Sequence, residues 1–136
     1  LFRSTGVLAV LILLFWWTVP KNTLLTESKL FDAEEVEKKT ELIIQYLDEE
    51  NYQEIKKLSI EKLADMMNKK EMDQVKSHLG NDWGEFQHFG EVYLIESSRM
   101  GQHSAIAQIN ASYENTSVTY TLSFNQDMEL NGLWIK

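Results

Sequence analysis

The sequence predicts an α+β domain: several short helices packed on one face of a curved antiparallel sheet of about four strands, preceded by an N-terminal membrane segment. Three observations support this prediction. Residues 7–15 carry no polar side chain, residues 32–80 repeat apolar positions at helical spacing, and residues 91–135 alternate apolar with polar side chains. The 136 residues leave room for one domain with a single core.

The opening stretch "GVLAVLILLFWWTVPKN" predicts a signal anchor or transmembrane helix over residues 1–20. It is short for a bilayer, which needs about 20 apolar residues, and its length also suits a cleavable signal peptide. No pair of small residues spaced like a cleavage site follows it, and Trp16 and Trp17 resemble an interfacial belt, so a retained anchor is favoured. Arg3 places the N-terminus in the cytoplasm by the positive-inside rule. We therefore expect a single-pass protein of the cell membrane with an extracytoplasmic domain, or, as the alternative, a protein secreted after signal cleavage.

Residues 21–29 are polar and are interpreted as a linker, so the extracytoplasmic domain is expected to span residues 30–136. A helix is predicted to begin after Asp32, because aspartate caps helix N-termini and Glu35 completes a capping-box pattern. The residues of one helical stripe are expected to face the core: Val36, Thr40, Ile43, Ile44 and Leu47.

Three shorter helices are predicted to follow. The first carries Tyr52, Ile55 and Leu58 and the second turns Leu63, Met66 and Met67 inward. The third begins at Asn68, a second capping-box position with Glu71, and ends at Gly80, since glycine readily adopts the left-handed conformation that terminates a helix.

The second half predicts four strands, over residues 91–97, 103–113, 116–124 and 129–135. The turns between them are short, and parallel pairing would need long crossovers, so the strands form an antiparallel meander. One face must be covered by the helices. The side chains expected on that face are Ala105, Ala107, Ile109, Ala111 and Tyr113 of the second strand, and Val118, Tyr120, Leu122 and Phe124 of the third.

Three segments resemble a known family: "FDAEEVEKKTELIIQYLDEENYQEI", the tryptophan Trp83 before "GEF", and the ending "YENTSVTYTLSFNQDMELNGLWIK". They resemble the bacterial domain-of-unknown-function family 3887 (DUF3887), over roughly residues 30–136. The resemblance implies a cystatin-like cone, as in nuclear transport factor two, with a curved sheet wrapped round a long N-terminal helix. The family brings no established catalytic residues, so the resemblance assigns none.

Composition excludes several classes of function. The chain has 21 acidic and 13 basic residues and a net charge of −8, which disfavours nucleic-acid binding. It has no cysteine, so thiol catalysis, disulfides and thiolate metal sites are absent. His78 and His88 flank Asp82 and Glu85 without the spacing of a known metal motif. We therefore predict no metal site, no cofactor and no catalytic residue.

The favoured hypothesis is a binding or interaction module for a peptide, an envelope polymer or a partner protein. Its expected binding rim is aromatic, because such rings offer a large contact area at low entropic cost: Trp83, Phe86, Tyr113, Tyr120 and Trp134. The competing interpretation is that these rings fill the core and plug the cone.

Two further hypotheses stay open. One is a structural or assembly domain of the cell envelope that uses the exposed sheet face. The other is a small cone-type enzyme, in which a carboxylate and a tyrosine lie inside the cone and burial raises the carboxyl pKa. Tyr113, Tyr120 and Glu96 are the inward candidates, although the position of Glu96 near a strand end predicts that it faces solvent.

Overall fold

The computed structural model of the chain describes residues 21–136. The membrane segment predicted over residues 1–20 lies outside the described residues. Within residues 21–136, no helix has both the length and the apolar character needed to cross a bilayer.

Within the described residues, four helices form the first layer of the domain. In chain order they are α1 (Ala33–Asp48), α2 (Tyr52–Lys57), α3 (Glu61–Ala64) and α4 (Lys69–Ser77). The N-caps predicted at Asp32 and Asn68 are confirmed: the carboxylate of Asp32 accepts the backbone N–H groups of Glu34 and Glu35, and Oδ1 of Asn68 accepts the N–H of Glu71. Met66 was expected to point inward and is 53 % exposed, whereas Met67 is buried.

In the part of the chain that the structure describes, five strands form one antiparallel sheet in sequence order. They are β1 (Lys21–Leu24), β2 (Phe86–Arg99), β3 (Gln102–Tyr113), β4 (Ser117–Phe124) and β5 (Leu130–Ile135). The sequence predicted about four strands and a later start for β2. The additional strand, β1, pairs with β2 from Lys21 opposite Ser98 to Leu24 opposite Ile95, and so satisfies the backbone groups of an otherwise open edge.

The structure therefore differs from the interpretation of residues 21–29 as a linker. After β1 the chain makes a 3₁₀ turn, Leu25–Glu27, in which Leu25 is only 1 % exposed. The hydroxyl of Ser28 then accepts the N–H groups of Leu30 and Phe31 and shapes the approach to α1. This segment is packed into the domain by one buried leucine and a ladder of backbone hydrogen bonds.

The covered face of the sheet is the predicted one. Ile109 lies opposite Tyr120 and Ala107 opposite Leu122, and all four side chains are almost fully buried. The small alanines of β3 let α1 approach β2 and β3 closely. The stripe of α1 that was predicted to face the core is buried: Val36, Thr40, Ile43, Ile44 and Leu47.

The sheet is curved because its ladders contain irregularities. The pairing of β2 with β3 shifts between Phe86 and His88 and again between Phe89 and Val92, and that of β4 with β5 shifts after Ser123. An extra residue in one strand bends that strand and increases its twist. The result is the predicted α+β layout, with short helices on one face of a curved antiparallel sheet.

Candidate functional site

A cleft of about 540 Å³ opens where α1 ends and β3 ends. It is bounded by the last residue of α1, the last turn of α4, the loop that leads into β2 and the end of β3. The side chains and backbone that line it are Asp48, Lys76, Asn81, Asp82, Trp83, Gly84, Glu85, Phe86 and Tyr113.

Backbone hydrogen bonds fix the loop that carries Trp83. The N–H of Asn115 donates to the carbonyl of Trp83, and the N–H of Glu114 donates to the carbonyl of Glu85, both over 2.9 Å. Gly84 has a φ of +75°, and a Cβ built there would lie 2.6 Å from Cβ of Glu114. Only glycine fits so close to the β3–β4 turn, so the loop is held in one position before any ligand arrives.

Three aromatic rings form one wall of the cleft. The ring centroids of Trp83 and Tyr113 are 5.2 Å apart, and those of Phe86 and Tyr113 are 5.7 Å apart in an edge-on arrangement. Trp83 and Tyr113 are each 7 % exposed, and Phe86 is half-buried. The buried indole Nε1 of Trp83 has no hydrogen-bond partner among residues 21–136.

A chain of hydroxyl groups leads from the cleft into the core. The phenol of Tyr113 donates to Oδ1 of Asp48 over 2.7 Å, and the hydroxyls of Tyr113 and Tyr120 are 2.6 Å apart. Because the hydroxyl of Tyr113 donates its only hydrogen to Asp48, the hydroxyl of Tyr120 must be the donor in the second bond. The carboxylate is the final acceptor of the chain.

Burial is the main cause of the pKa shifts of the three hydrogen-bonded groups, Asp48, Tyr113 and Tyr120. It raises the pKa of Asp48, while the hydrogen bond from Tyr113 and the positive charge of Lys76 act in the opposite direction. Burial is also the main cause that raises the pKa of Tyr113 and of Tyr120, so both phenols stay neutral at physiological pH. Of the three hydrogen-bonded groups, Asp48 is therefore the one that can change its protonation state.

Lys76 brings a positive charge to the mouth of the cleft. Its Nζ lies 5.3 Å from the centroid of the Trp83 ring, within the range of a cation–π interaction. Asp82 and Glu85, both exposed, add negative charge to the same lining. The cleft thus combines an aromatic wall, a partly buried carboxylate and an acidic rim.

The structure brings four of the five predicted rim residues to this region. Trp83, Phe86 and Tyr113 line the cleft, and Tyr120 lies behind Tyr113 with 1 % of its surface exposed. Trp134 is not part of it. It lies opposite Thr121 on the sheet face that points away from the helices, is 57 % exposed, and its ring covers Gly132.

Glu96 does not face solvent as the sequence predicted. Its side chain is 13 % exposed and accepts hydrogen bonds from the hydroxyl of Ser28 and, over 2.8 Å, from Nδ1 of His103. The hydrogen bond from Ser28 is the main cause that lowers its pKa, and the bond from His103 adds to it. Glu96 pairs in register with Ala105, far along the sheet from Tyr113, so it does not join the tyrosines in one site.

Asp48 and Lys76 are site residues that the sequence reasoning missed. Each had a usable signal. Asp48 lies four residues after the buried Ile44, and Lys76 four residues after the buried Met72, so helical spacing places both beside apolar stripes. A charged residue in register with a buried stripe is a candidate for a cleft.

Metal ligation has no support in the described part of the chain. Within residues 21–136, no group of three or more His, Asp or Glu side chains could hold a metal ion. His78 and His88 are both exposed.

Comparison with known proteins now identifies the family. Residues 40–133 match the model of the family described as "Protein of unknown function (DUF3887)". The chain belongs to the DUF3887 family. This DUF3887 domain is also similar to the NMR structure of a protein from Ruminococcus gnavus ATCC 29149, with a TM-score of 0.67 and 23 % identity over 79 % of this chain and 93 % of that one. That likeness concerns the fold alone. No curated protein matches the chain.

Proposed function

We propose that this DUF3887 domain is a membrane-anchored extracytoplasmic binding module whose ligand occupies the cleft beside Asp48. The observation that carries the proposal is a cleft of about 540 Å³ that stays open although its wall is aromatic and its floor holds a partly buried carboxylate. Ligand sites typically combine an apolar wall with a few polar groups that fix orientation.

The rigidity of the cleft supports binding. Trp83 is held by the hydrogen bonds of its loop to the β3–β4 turn, and Tyr113 is held through its bond to Asp48. A site that is ordered before binding loses little conformational entropy when the ligand arrives. We propose as ligands a peptide, a segment of an envelope polymer or a side chain of a partner protein.

Charge reversal at the rim tests the site. Glu85→Arg changes an exposed residue of the cleft, and Glu91→Arg is the matched control, an exposed glutamate of β2 on the other sheet face. The full-length variants are immobilised and exposed to an envelope extract of the producing cell. Retention of a specific partner should fall for Glu85→Arg and persist for Glu91→Arg. Equal retention by the two variants would contradict a binding role for the cleft.

A second candidate is an assembly domain that uses the sheet face away from the helices. The observation that favours it is the exposure of Leu24, Tyr93 and Trp134 on that face, each between 57 % and 61 % exposed. Exposed apolar groups on this face are available to a partner surface. In the same experiment, loss of retention by Glu91→Arg and not by Glu85→Arg would support this candidate.

A third candidate, a small cone-type enzyme, is favoured by Asp48 alone. Its pKa is raised by burial, and it lies in an open cleft beside a tyrosine, which are the properties of a general acid or base. If a turnover reaction is found, Asp48→Asn should abolish the turnover although the variant still folds. Unchanged turnover in this variant would exclude Asp48 as the acid or base.

Membrane attachment is proposed from the apolar segment that ends immediately before β1. The chain has no cysteine, so single cysteines can report topology. Gln102→Cys, on the exposed β2–β3 hairpin, should react with a membrane-impermeant maleimide in intact cells, whereas Ser4→Cys should react only after lysis. The reverse labelling pattern would contradict an external domain. An intact mass that corresponds to a mature protein starting near Asn22 would contradict a retained anchor.

For the fold we propose the cystatin-like cone. The support is α1, a helix of 16 residues that contacts β2 and β3 on the covered face of a sheet bent by its register shifts. An experimental structure in which α1 lies outside the concave face would contradict this assignment.

A further inference from the structure

We propose that the cleft binds an alkylammonium group and that Lys76 is a tethered competitor for the same position. The inference rests on the proposed function, in which the cleft is the ligand-binding site. It adds the chemical class of the ligand and a built-in control of its affinity.

The cleft already holds one ammonium group, that of Lys76. The ammonium of Lys76 lies 5.3 Å from the centroid of the Trp83 ring, and its charge lowers the pKa of Asp48 against the effect of burial. Aromatic faces and carboxylates are both common partners of organic cations in proteins. The structure thus displays one ammonium at the position where we place another.

The charges of the cleft lining favour a cationic ligand. Lys76 is the single cationic residue of the cleft lining, against Asp48, Asp82 and Glu85. The whole chain carries a net charge of −8. An anionic ligand would meet repulsion at the rim, whereas a cationic ligand gains from the rim and from the long-range field.

The ammonium of Lys76 is not fixed by a salt bridge among residues 21–136. Among residues 21–136, its Nζ makes no ion pair with a carboxylate within 4.0 Å, in contrast to Lys69, which contacts both Glu50 and Asp73. A flexible four-carbon stem lets its ammonium leave the ring and enter solvent in a minor fraction of the molecules. A ligand ammonium can therefore replace it without any change in the backbone.

The test uses the full-length chain, labelled with ¹⁵N in a non-ionic maltoside detergent, since detergents with quaternary ammonium headgroups would compete. The probe is n-butylammonium chloride, with sodium butyrate as the anionic control at equal ionic strength. The readout is the indole Nε1–H resonance of Trp83, assigned with Trp83→Phe. We expect saturable shifts with butylammonium and none with butyrate.

The decisive comparison removes the competitor. Lys76→Met keeps the stem and deletes the charge, and the affinity for butylammonium should rise roughly tenfold, as for a site whose competent fraction was about one tenth. Lys70→Met, an exposed lysine of the same helix, is the matched control and should leave the affinity unchanged. Lys76→Gln serves as the second variant if Lys76→Met lowers the melting temperature.

Two results would overturn the proposal: no saturable binding of butylammonium to any variant, or equal affinity in wild type, Lys76→Met and Lys76→Gln. These failures are separable from failure of the proposed function. If Glu85→Arg still abolishes retention of a partner, the cleft remains a binding site and only the ammonium chemistry is excluded.

Discussion

Tyr113, at the end of β3, donates its hydroxyl hydrogen to Oδ1 of Asp48, the last residue of α1, across 65 residues of sequence. This bond connects the helix layer to the sheet at the floor of the cleft. Both groups are partly buried, and burial raises the pKa of each. If the hydrogen bond were removed, water would therefore not fully replace it as a partner of either group. The bond should therefore contribute both to stability and to the shape of the site.

Tyr113→Phe tests this connection. The variant leaves Asp48 and the hydroxyl of Tyr120 without their shared partner, so the free energy of unfolding should fall by about 1–3 kcal/mol. Tyr93→Phe is the matched control, because the hydroxyl of Tyr93 bonds Glu91 on the surface and its loss should cost less than about 0.5 kcal/mol. Urea denaturation measures both. Equal losses would mean that the buried bond contributes no more than an exposed one.

Local pattern was sufficient for much of the fold. The stripe of α1 and the alternation in β3 and β4 predicted the correct buried faces, because burial on one side imposes a period on the sequence. Strand β1 could not be predicted in this way. All four of its side chains are exposed, and it is held through backbone hydrogen bonds to β2, which leave no pattern in the side chains.

The omission of β1 also explains the error at Glu96. The register of β2 places Glu96 on the covered face with Val92 and Leu94, but its cover includes Ser28, within the segment 21–29 that was interpreted as a linker. The sequence pointed to the aromatic residues of the candidate site but not to Asp48, because the contact of Asp48 with Tyr113 depends on tertiary packing. Aromatic residues can be recognised individually, whereas the meeting of Asp48 with Tyr113 depends on how a helix end docks on a strand end.

Leu122→Asp and Thr121→Asp test the faces of β4. Leu122 is fully buried against the helices, so the aspartate would place an unpaired charge in the core and destabilise the domain by more than about 4 kcal/mol. Thr121 lies on the other face and is partly exposed, so the same substitution should cost about 1 kcal/mol or less. Thermal unfolding followed by circular dichroism checks this. Similar melting temperatures for the two variants would contradict the assignment of one buried and one exposed face.

Trp83→Ala and Trp134→Ala separate a cleft wall from a surface ring. Trp83 is 7 % exposed and packs against Tyr113, so its truncation should cost about 3–5 kcal/mol. Trp134 is 57 % exposed and covers Gly132, so its truncation should cost about 1 kcal/mol or less. Chemical denaturation compares the two, and a larger loss for Trp134→Ala would contradict the placement of the rings.

Glu96→Gln should destabilise the domain in a pH-dependent way. The folded state lowers the pKa of Glu96, chiefly through the hydrogen bond from Ser28, so the carboxylate contributes stability above its unfolded pKa and loses it as the pH falls through its folded pKa. At pH 7 the variant should be less stable by about 1–2 kcal/mol. The difference should shrink as the pH falls below about 4. A difference that is constant from pH 7 to pH 3 would exclude this carboxylate as its source.

Asp48→Asn should show the opposite sign. Burial raises the folded pKa of Asp48, so its protonated form favours folding below the unfolded pKa, and this contribution is lost as the pH rises through the folded pKa. The asparagine can still accept the hydrogen bond from Tyr113 without a buried charge. At pH 7 the variant should therefore be more stable than the wild type by about 1 kcal/mol, and the gain should vanish as the pH falls below about 4. The free energy of unfolding, measured in urea from pH 3 to pH 8 beside Glu96→Gln, should give two difference curves of opposite sign that converge at low pH. A destabilised Asp48→Asn at pH 7 would mean that the charge of Asp48, paired with Tyr113 and Lys76, contributes more to folding than its burial costs.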